Sequence, residues 1–499
     1  MSQTEQDAGL KKGAIGFVDA VVIGLASTSP AYSLAAIIGA VVALVGVHAP
    51  GVLIASFVPM LMIASAFYYL NKVDQDCGTT FSWVTRAMGP WFGWFGGWAI
   101  SMTGVLVVGS LADVGVRFGL LAVGLDSAAD SMPIRMSLAV VLILAMTALC
   151  VIGTEVSAKF QNVLIIAQVV TLLVFAVVAL YRVYADTSSL DSIDPSLSWL
   201  NPFASGGGAL SSGLLLGVFA YWGWESAVNL TEETEDSASA PGRAGIVSTI
   251  VLLVTYVGVA YAVVAYAGTG FLAANQDEEE SIFALLGDQV LGGWSWLLLV
   301  AVATSAVAST QTTIIPASRT GLSMARRAAL PSTFAHISPR FRTPDVSTWW
   351  VAGIAIVWYV FVSIVSENAL FDSLSALALL IAFYYALTGI ACAVYYRHQL
   401  LKSATNFFLI GVGPLIGSAL LIWLLVKSVI DLSDPDNSYT GAAWFGLGPP
   451  LVIGIGIMLV GVVVMFVWRT QDKRFWQERA GTVDPALLVP GRADDEGSR

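Results

Sequence analysis

The sequence predicts an all-α membrane protein with twelve transmembrane helices. Of its 499 residues, 57% are apolar and only 11% are charged, and the mean hydropathy is +0.79. Water-soluble domains carry about 25% charged residues. The apolar residues also form runs of about 20, the length that spans a bilayer as a helix. This composition excludes disordered chains and small disulfide-rich scaffolds.

Twelve apolar runs follow one another along the chain. Their approximate ranges are 17–46, 51–70, 92–123, 136–153, 160–184, 209–231, 246–272, 293–318, 348–366, 371–396, 407–430 and 446–468. Strands of membrane β-barrels alternate apolar and polar residues over about ten positions, whereas these runs are longer and apolar all round. The start of the chain is acidic and polar, which is not typical of a signal peptide. Each run is therefore predicted to be a helix.

The basic residues predict the orientation of these helices. Nineteen of the 23 Lys and Arg residues fall on the side of the two chain ends, and only Arg117, Arg135, Arg182 and Lys427 fall on the other. Because cytoplasmic loops carry an excess of Lys and Arg, we expect both termini in the cytoplasm and the protein in the cell (cytoplasmic) membrane. The opposite loops are acidic, notably 277–280.

Two of the runs are interrupted by residues that suit a membrane helix poorly. The first run carries small hydroxylic residues and Pro30 between positions 24 and 33, and proline removes one backbone hydrogen bond. The sixth carries Gly223 and the ionisable Glu225. Open backbone in hydrocarbon is tolerated only where it is buried in protein or lines a wet cavity. A simple kink repaired by hydroxyl groups is the alternative for the first run.

The spacing of the two breaks predicts an inverted repeat, because the sixth helix is five positions after the first and an odd number of spans per repeat reverses the orientation. We expect a first five-helix repeat at 17–184, a second inverted repeat at 209–396, and two further helices at 407–468. Cytoplasmic tails are expected at 1–16 and 469–499, and the second, rich in charge and proline, is expected to be mobile. Paired broken helices mark the midplane substrate site of secondary transporters.

Further motifs occur in a specific order over about residues 13–480. They comprise 24–33, Gly78, Trp83, 89–98, 219–233, Pro241, Arg243, Ser318, Arg319, 324–326, Leu330, Pro331, Thr343 and Pro344. Together they resemble permeases of the amino acid-polyamine-organocation (APC) superfamily, in particular amino acid permeases. The resemblance implies the leucine-transporter (LeuT) fold, in which helices 1 and 6 are broken and two helices follow the 5+5 inverted repeat.

The resemblance places the substrate site at the two breaks. The implied substrate-binding residues are Ala26, Ser27, Thr28, Ser29, Tyr32, Phe219, Trp222, Gly223, Trp224 and Glu225. Phe219 lies where related exchangers carry an aromatic gate, and the nearby rings offer cation–π or apolar walls; core packing is the alternative. The family's first break is usually glycine-rich, whereas 26–30 here contains no glycine. The first break therefore does not decide whether the substrate is an amino acid or an amine or polyamine without a carboxylate.

Glu225, Gln168 and Phe219 are the predicted coupling or gating residues. A carboxylate is costly at membrane depth, so Glu225 is expected to pair with a substrate ammonium or to accept a transported proton; capping of the second half-helix is the alternative. Some proton-coupled relatives carry a lysine at the position of Gln168, whose amide holds no charge but can form hydrogen bonds to the first helix. Two other options are exchange without an ion and sodium held near the first break. Sodium would also bind hydroxyl groups of the eighth helix, which offers Thr304, Ser305, Ser309, Thr310 and Thr312.

We therefore expect a secondary transporter, a permease or exchanger, that moves amino acids or related amines and polyamines by alternating access. The alternatives are an ion or other organic-ion transporter of the same fold, and a nutrient sensor that binds its substrate without moving it. The expected partners are the substrate, H⁺ or Na⁺, and the lipid bilayer. The three cysteines follow no metal-ligand spacing and the net charge is −11, so neither a metal nor a nucleic acid is expected. The sequence contains no HExxH, GxSxG or P-loop motif, so no enzyme activity or cofactor is expected.

Overall fold

The computed structural model describes residues 9–275, 282–365, 367–438 and 440–481. The first half forms helices α1 (Phe17–Thr28), α2 (Pro30–Val45), α3 (Ala49–Val73), α4 (Thr80–Met88), α5 (Pro90–Ala122), α6 (Asp126–Ala129), α7 (Met132–Ile152), α8 (Thr154–Tyr184) and α9 (Gly207–Ala220). The second half forms α10 (Ser226–Asn229), α11 (Ala240–Ala274), α12 (Ile282–Leu291), α13 (Trp296–Arg326), α14 (Asp345–Val365), α15 (Glu367–Tyr395), α16 (Ala404–Asn406), α17 (Gly413–Asp431) and α18 (Pro449–Gln471). The predicted acidic run 277–280 and the end of the predicted tail lie outside the described residues.

Ten helical stretches in the described ranges are long and apolar enough to cross a membrane. They are Phe17–Val73, Pro90–Ala122, Met132–Ile152, Ala158–Tyr184, Ala240–Ala274, Trp296–Arg326, Asp345–Val365, Asp372–Tyr395, Ala404–Asp431 and Pro449–Gln471. Helix α9 is apolar but shorter, with 14 residues. Over the same ranges the backbone forms no β-strand, only isolated bridges. The predicted all-helical membrane fold class is confirmed at this level.

Helices α5 and α13 pack against each other in the centre of the protein. A Cβ atom added to Gly104 would lie 2.9 Å from the Ala317 side chain, and one added to Gly115 would lie 3.0 Å from Val307. Small residues of this kind let two membrane helices approach closely, which strengthens their van der Waals contact. The two helices therefore form a close-packed support for the helices around them.

A buried ion pair and a hydrogen bond join α5 to two of the helices around it. Asp113 on α5 accepts a hydrogen bond from the Tyr359 hydroxyl of α14 (2.6 Å), and its other oxygen lies 3.4 Å from the Arg135 guanidinium of α7. All three side chains are buried. Since a charge is costly inside the membrane unless it is paired, this contact holds α5, α7 and α14 in a defined arrangement.

Both ends of the described chain fold back onto the protein. Near the start, the Ile15 amide donates to the Glu233 carbonyl (3.1 Å), and the Arg342 guanidinium donates to the Leu10 carbonyl (3.4 Å). Near the end, the ring of Phe475 is fully buried and stacks on Phe81 at 5.5 Å. The part of the tail around Phe475 is thus packed against the protein, because its aromatic residues bury apolar surface.

Candidate functional site

The first candidate element is the junction of α1 and α2. Ser29 separates the two helices and has a left-handed backbone with φ of 55°. Pro30 begins α2, where a missing N–H costs nothing because the first helical amides have no partner inside the helix. The Thr28 hydroxyl donates to the Gly24 carbonyl (2.9 Å), and the Ser33 hydroxyl donates to the Thr28 carbonyl (2.6 Å). Hydroxyl groups therefore satisfy carbonyls around this junction.

The second element is the non-helical segment between α9 and α10. Helix α9 ends at Ala220, whose carbonyl accepts the Tyr256 hydroxyl at 2.8 Å. Gly223 follows with φ of 116°, a conformation that side chains other than glycine rarely adopt. Helix α10 then begins at Ser226 and is only one turn long. The segment places the Trp222–Gly223–Trp224 backbone inside the protein rather than in a continuous helix.

The two elements touch each other. A Cβ atom on Gly223 would lie 2.7 Å from the Ser27 carbonyl oxygen, so only glycine fits this contact. The hydroxyl groups of Ser27 and Ser226 are 2.7 Å apart. Helix α13 also contacts the first element, since its Ser309 hydroxyl donates a hydrogen bond to the Ser27 carbonyl (2.8 Å). Both elements are therefore fixed by direct polar contacts.

The Glu225 carboxylate lies within this region and is only 3% exposed. It accepts hydrogen bonds from the Gly223 amide (3.1 Å), the Tyr384 hydroxyl (2.5 Å) and the Tyr385 hydroxyl. The Trp222 indole donates in turn to the Tyr384 hydroxyl (2.5 Å). All of these donors are neutral, so they solvate the carboxylate without balancing its charge. Glu225 is the N-cap residue of α10, but its side chain accepts no hydrogen bond from the first amides of that helix, and the Gly223 amide lies before the helix.

Tyr384 and Tyr385 belong to this cluster but were not predicted from the sequence. They lie side by side on α15, 4.8 Å apart between ring centres, and both are fully buried. The signal that could have identified them is two consecutive tyrosines within an otherwise apolar run. What the sequence did not reveal is that this turn of α15 faces Glu225.

A cavity of about 290 Å³ runs along α2. Tyr32, in the first turn of that helix, and Leu44, near its end, both line it, so the cavity extends over almost the whole helix. Phe219 of α9 also lines it, and Asp431 of α17 supplies the one carboxylate among its lining residues. The walls are otherwise mainly apolar, as in most small-molecule pockets.

The cavity separates the predicted substrate-binding residues into two groups. Tyr32 and Phe219 line it. The others are buried around the contact between the two elements and do not line the cavity: Ala26, Ser27, Thr28, Ser29, Trp222, Gly223, Trp224 and Glu225. Trp224, for example, packs edge-on against Phe67 at 5.1 Å. The cavity therefore reaches two of the predicted residues, both aromatic, but is not lined by the Glu225 carboxylate.

Gln168 and the hydroxyl groups of α13 are the predicted coupling groups. Gln168 is fully buried, and neither its amide nitrogen nor its amide oxygen has a hydrogen-bond partner, so the bonds expected to the first helix are absent. Thr304, Thr310 and Thr312 donate to carbonyls of their own helix. Of the five hydroxyl groups, only those of Ser305 and Ser309 reach the first element.

A second polar cluster lies beside the end of α13, outside the candidate site. Ligand atoms of Asp76, Cys77 and Glu232 come within 4.8 Å of one another, as in some metal sites. Both carboxylates already have protein partners, because Asp76 accepts the Ser323 hydroxyl (2.5 Å) and Glu232 accepts Arg326 (2.9 Å). Burial raises the pKa of Asp76, and repulsion from nearby carboxylates adds to the shift. These contacts account for the burial of both carboxylates.

Comparisons with known proteins identify the family. A family model described as amino acid permease matches residues 15–458. An uncharacterized transporter of Mycobacterium tuberculosis is 28% identical over 342 residues, which is 66% of this chain and 70% of that protein. A methylthioribose transporter of Bacillus subtilis is 25% identical over 292 residues, 58% of each chain. A low-affinity putrescine importer of Escherichia coli is 22% identical over 437 residues, 86% of this chain and 91% of that protein.

These relatives are transporters and not enzymes, and the ten apolar helical stretches indicate a multi-pass membrane protein. The match spans both of the interrupted elements and nearly the whole described chain. The resemblance seen in the sequence motifs is confirmed: the chain belongs to the amino acid permease family of the APC superfamily.

Proposed function

We propose that the protein is a secondary transporter that moves amino acids or related amines across the cytoplasmic membrane by alternating access. The observation that carries this proposal is the direct contact between the α1–α2 junction and the α9–α10 segment at Gly223 and Ser27. Two interrupted helices that meet inside a membrane protein offer half-helix ends to a substrate. The family match supports transport as the activity.

Twelve membrane crossings and an inverted repeat are part of the proposal. The stretch Phe17–Val73 contains a turn at Gly46–His48 and would cross twice, and α9 with α10 would supply one further crossing. Short helices occupy equivalent places in the two halves: α4 precedes α5 and α12 precedes α13. This correspondence supports two five-helix repeats. The distribution of basic residues supports cytoplasmic termini.

Glu225 is proposed to be the partner of a substrate ammonium group. A carboxylate surrounded only by neutral donors keeps its charge available, and an ammonium is attracted more strongly in a poorly solvated site than in water. To reach it, the substrate would pass Phe219 and displace a hydroxyl group of Tyr384 or Tyr385. The rings of Phe219 and Tyr32 would meanwhile contact the apolar or cationic part of the substrate.

The proposed state in this structure is open on one side of the site only. The cavity along α2 gives access from the end at Leu44 and Asp431. On the other side, Arg319 forms an ion pair with Glu233 (2.8 Å) in which both side chains are fully buried, and Arg326 pairs with Glu232. By the orientation proposed above, the open end faces outward and the paired end faces the cytoplasm.

The substrate class and the coupling ion are also part of the proposal. The named relatives move methylthioribose and putrescine, which are small and polar, and an amino acid or amine of similar size suits this cavity. Gln168 cannot carry a proton, so proton coupling would use Glu225. Sodium coupling would use Ser305 and Ser309, the α13 hydroxyl groups that contact the first element.

Uptake into proteoliposomes tests the proposal. The purified protein is reconstituted and given radiolabelled amino acids, putrescine and other amines, with and without gradients of H⁺ and Na⁺. We expect saturable uptake of one class, lost in Glu225→Gln, which keeps the shape of the side chain but removes its charge. Asp126→Asn, at an exposed position, is the matched control and should transport normally.

A binding measurement separates transport from sensing. A ligand at a hundredfold excess over its Kd stabilises the folded state by about 2.7 kcal/mol, which a thermal-shift assay detects. A shift without any uptake would favour a sensor. If no compound of the panel gives either a thermal shift or uptake, the result would contradict an amino acid or amine substrate. It would favour an inorganic ion or another organic ion as the substrate.

A further inference from the structure

A second cavity lies on the membrane-facing surface, away from the candidate substrate site. Its volume is about 490 Å³, and its walls come from α3, α11, the start of α17 and the segment before it. On α3 the lining residues Leu61, Ser65 and Tyr68 follow one another at helical spacing, so they form one face of that helix. We call this cavity the lipid-side groove.

A π-helix, Phe407–Val412, forms one wall of the groove. Such wide turns are rare and often occur at functional sites. Phe408 and Leu409 line the groove and remain exposed. The Leu409 carbonyl accepts the Ser65 hydroxyl at 2.9 Å, so this carbonyl is satisfied in an apolar environment.

Two exposed cations lie next to residues of the groove. The Lys72 ammonium lies 4.4 Å from the ring centre of the groove residue Tyr68. Arg243 comes one turn before the groove residue Ile246 on α11, and its guanidinium lies 5.5 Å from the ring centre of Phe17. Gly242 brings α11 against α3, since a Cβ atom there would lie 2.8 Å from the Tyr68 Cα. Neither cation forms an ion pair with a carboxylate of the described residues.

We propose that the lipid-side groove binds an anionic phospholipid, with an acyl chain in the groove and the phosphate at Lys72 and Arg243. The apolar walls suit hydrocarbon, and the two exposed cations next to them suit a head group with net negative charge. A zwitterionic lipid offers the same acyl chain, but its own ammonium group would face the two cations. Charge complementarity therefore selects the anionic lipid. The site lies outside the proposed substrate path and does not depend on the identity of the substrate.

Native mass spectrometry of the purified, detergent-solubilised chain tests this site directly. Phosphatidylglycerol and phosphatidylcholine with the same acyl chains are added in equal amounts, and the bound fraction of each is measured. We expect preferential retention of phosphatidylglycerol. Each cation near an anionic phosphate contributes about a fivefold factor in affinity, so Lys72→Gln and Arg243→Gln should each reduce retention about fivefold and the double variant should abolish the preference.

Two further variants locate the site. Leu61→Trp places a bulky ring in the groove and should reduce retention of both lipids, without altering either cation. Arg469→Gln is the matched control, because Arg469 lies over the Trp91 ring as Lys72 lies over the Tyr68 ring, but Trp91, unlike Tyr68, does not line the groove. It should leave retention unchanged.

Three results would overturn the proposal. One is equal retention of the two lipids by the parent protein. Another is retention by the Lys72→Gln/Arg243→Gln double variant that matches the parent. The third is a doubled mass with no bound lipid, which would assign the groove to a contact between two copies of the chain. None of these results depends on whether the protein transports the proposed substrates.

Discussion

Replacement of Gly223 by alanine tests the contact between the two interrupted elements most directly. The backbone φ of 116° at this position strains any residue with a side chain, at a cost of order 1–3 kcal/mol. The new methyl group would also lie 2.7 Å from the Ser27 carbonyl oxygen and 3.0 Å from the Thr28 nitrogen. Overpacking of this kind costs about 1–3 kcal/mol. The free energy of unfolding should therefore fall by about 2–6 kcal/mol.

The assay is a denaturant titration in detergent, combined with uptake by the same variant. Gly258→Ala is the control, since its Cβ would meet no atom within 4 Å and the residue lies inside α11. A helical Gly→Ala change at such a position is expected to be neutral or stabilising by about 0.5–1 kcal/mol. If Gly223→Ala unfolds at the same denaturant concentration as Gly258→Ala and transports as well, the two elements do not form the contact on which the proposed site depends.

Four other substitutions test separate parts of the structure. Tyr385→Phe removes a hydrogen-bond donor from Glu225, and hydrogen bonds to charged groups contribute about 1.5–3 kcal/mol. We expect the free energy of unfolding in a denaturant titration to fall by that amount, and uptake to be slower. Asp113→Asn leaves its buried arginine without a counter-charge, so the free energy of unfolding should fall by about 3–5 kcal/mol. Phe475→Ala should release the packed tail at a similar cost, seen as faster limited proteolysis of the C-terminal segment. Burial and neighbouring carboxylates raise the pKa of Asp76 above its ordinary 3.8. The stability that protonated Asp76 contributes is therefore complete below pH 3.8 and is lost as the pH rises through the raised pKa. Asp76→Asn should remove this contribution and so flatten the dependence of melting temperature on pH.

Exposed residues of the same types provide the controls. Tyr181 is 70% exposed and Phe445 is 95% exposed, so Tyr181→Phe and Phe445→Ala should change neither stability nor proteolysis. Asp126→Asn serves for both aspartate substitutions, because this residue is exposed. A buried variant that behaves like its exposed control would show that the corresponding contact does not contribute. For Asp76→Asn, the contradicting result is an unchanged slope of melting temperature against pH.

The long helices were predictable because membrane spans follow directly from hydrophobic length. The run predicted at 92–123 corresponds to α5, which begins at Pro90 because proline suits the first turn. The short helices α4 and α12 were missed, since neither forms an apolar run long enough to span a bilayer. Helix α4, for example, is an amphipathic segment of nine residues. A search for long apolar runs does not detect such elements.

The contacts at the candidate site were only partly predictable. The proline and hydroxyl groups near Ser29 and the carboxylate of Glu225 are unusual in an apolar run, and that makes them visible in a single sequence. Their partners are ordinary residues of other helices, such as Tyr385, which is 160 positions away from Glu225. One sequence does not tell which face of a helix meets which neighbour. The unpartnered amide of Gln168 is likewise a result of packing that composition does not reveal.

One short segment connects the candidate site to the two ion pairs that we propose close one side of the protein. Glu225 stands at the start of α10, and Glu232 and Glu233 follow at its other end, paired with Arg326 and Arg319. A substrate that displaces Glu225 would therefore pull on both pairs, because the segment between them is short and buried. Removing one partner of a buried pair costs about 3–5 kcal/mol, which exceeds the roughly 2.7 kcal/mol that a substrate at a hundredfold excess over Kd supplies. The proposed transport cycle thus requires these carboxylates to find new partners as the segment moves, rather than simply to separate from their arginines.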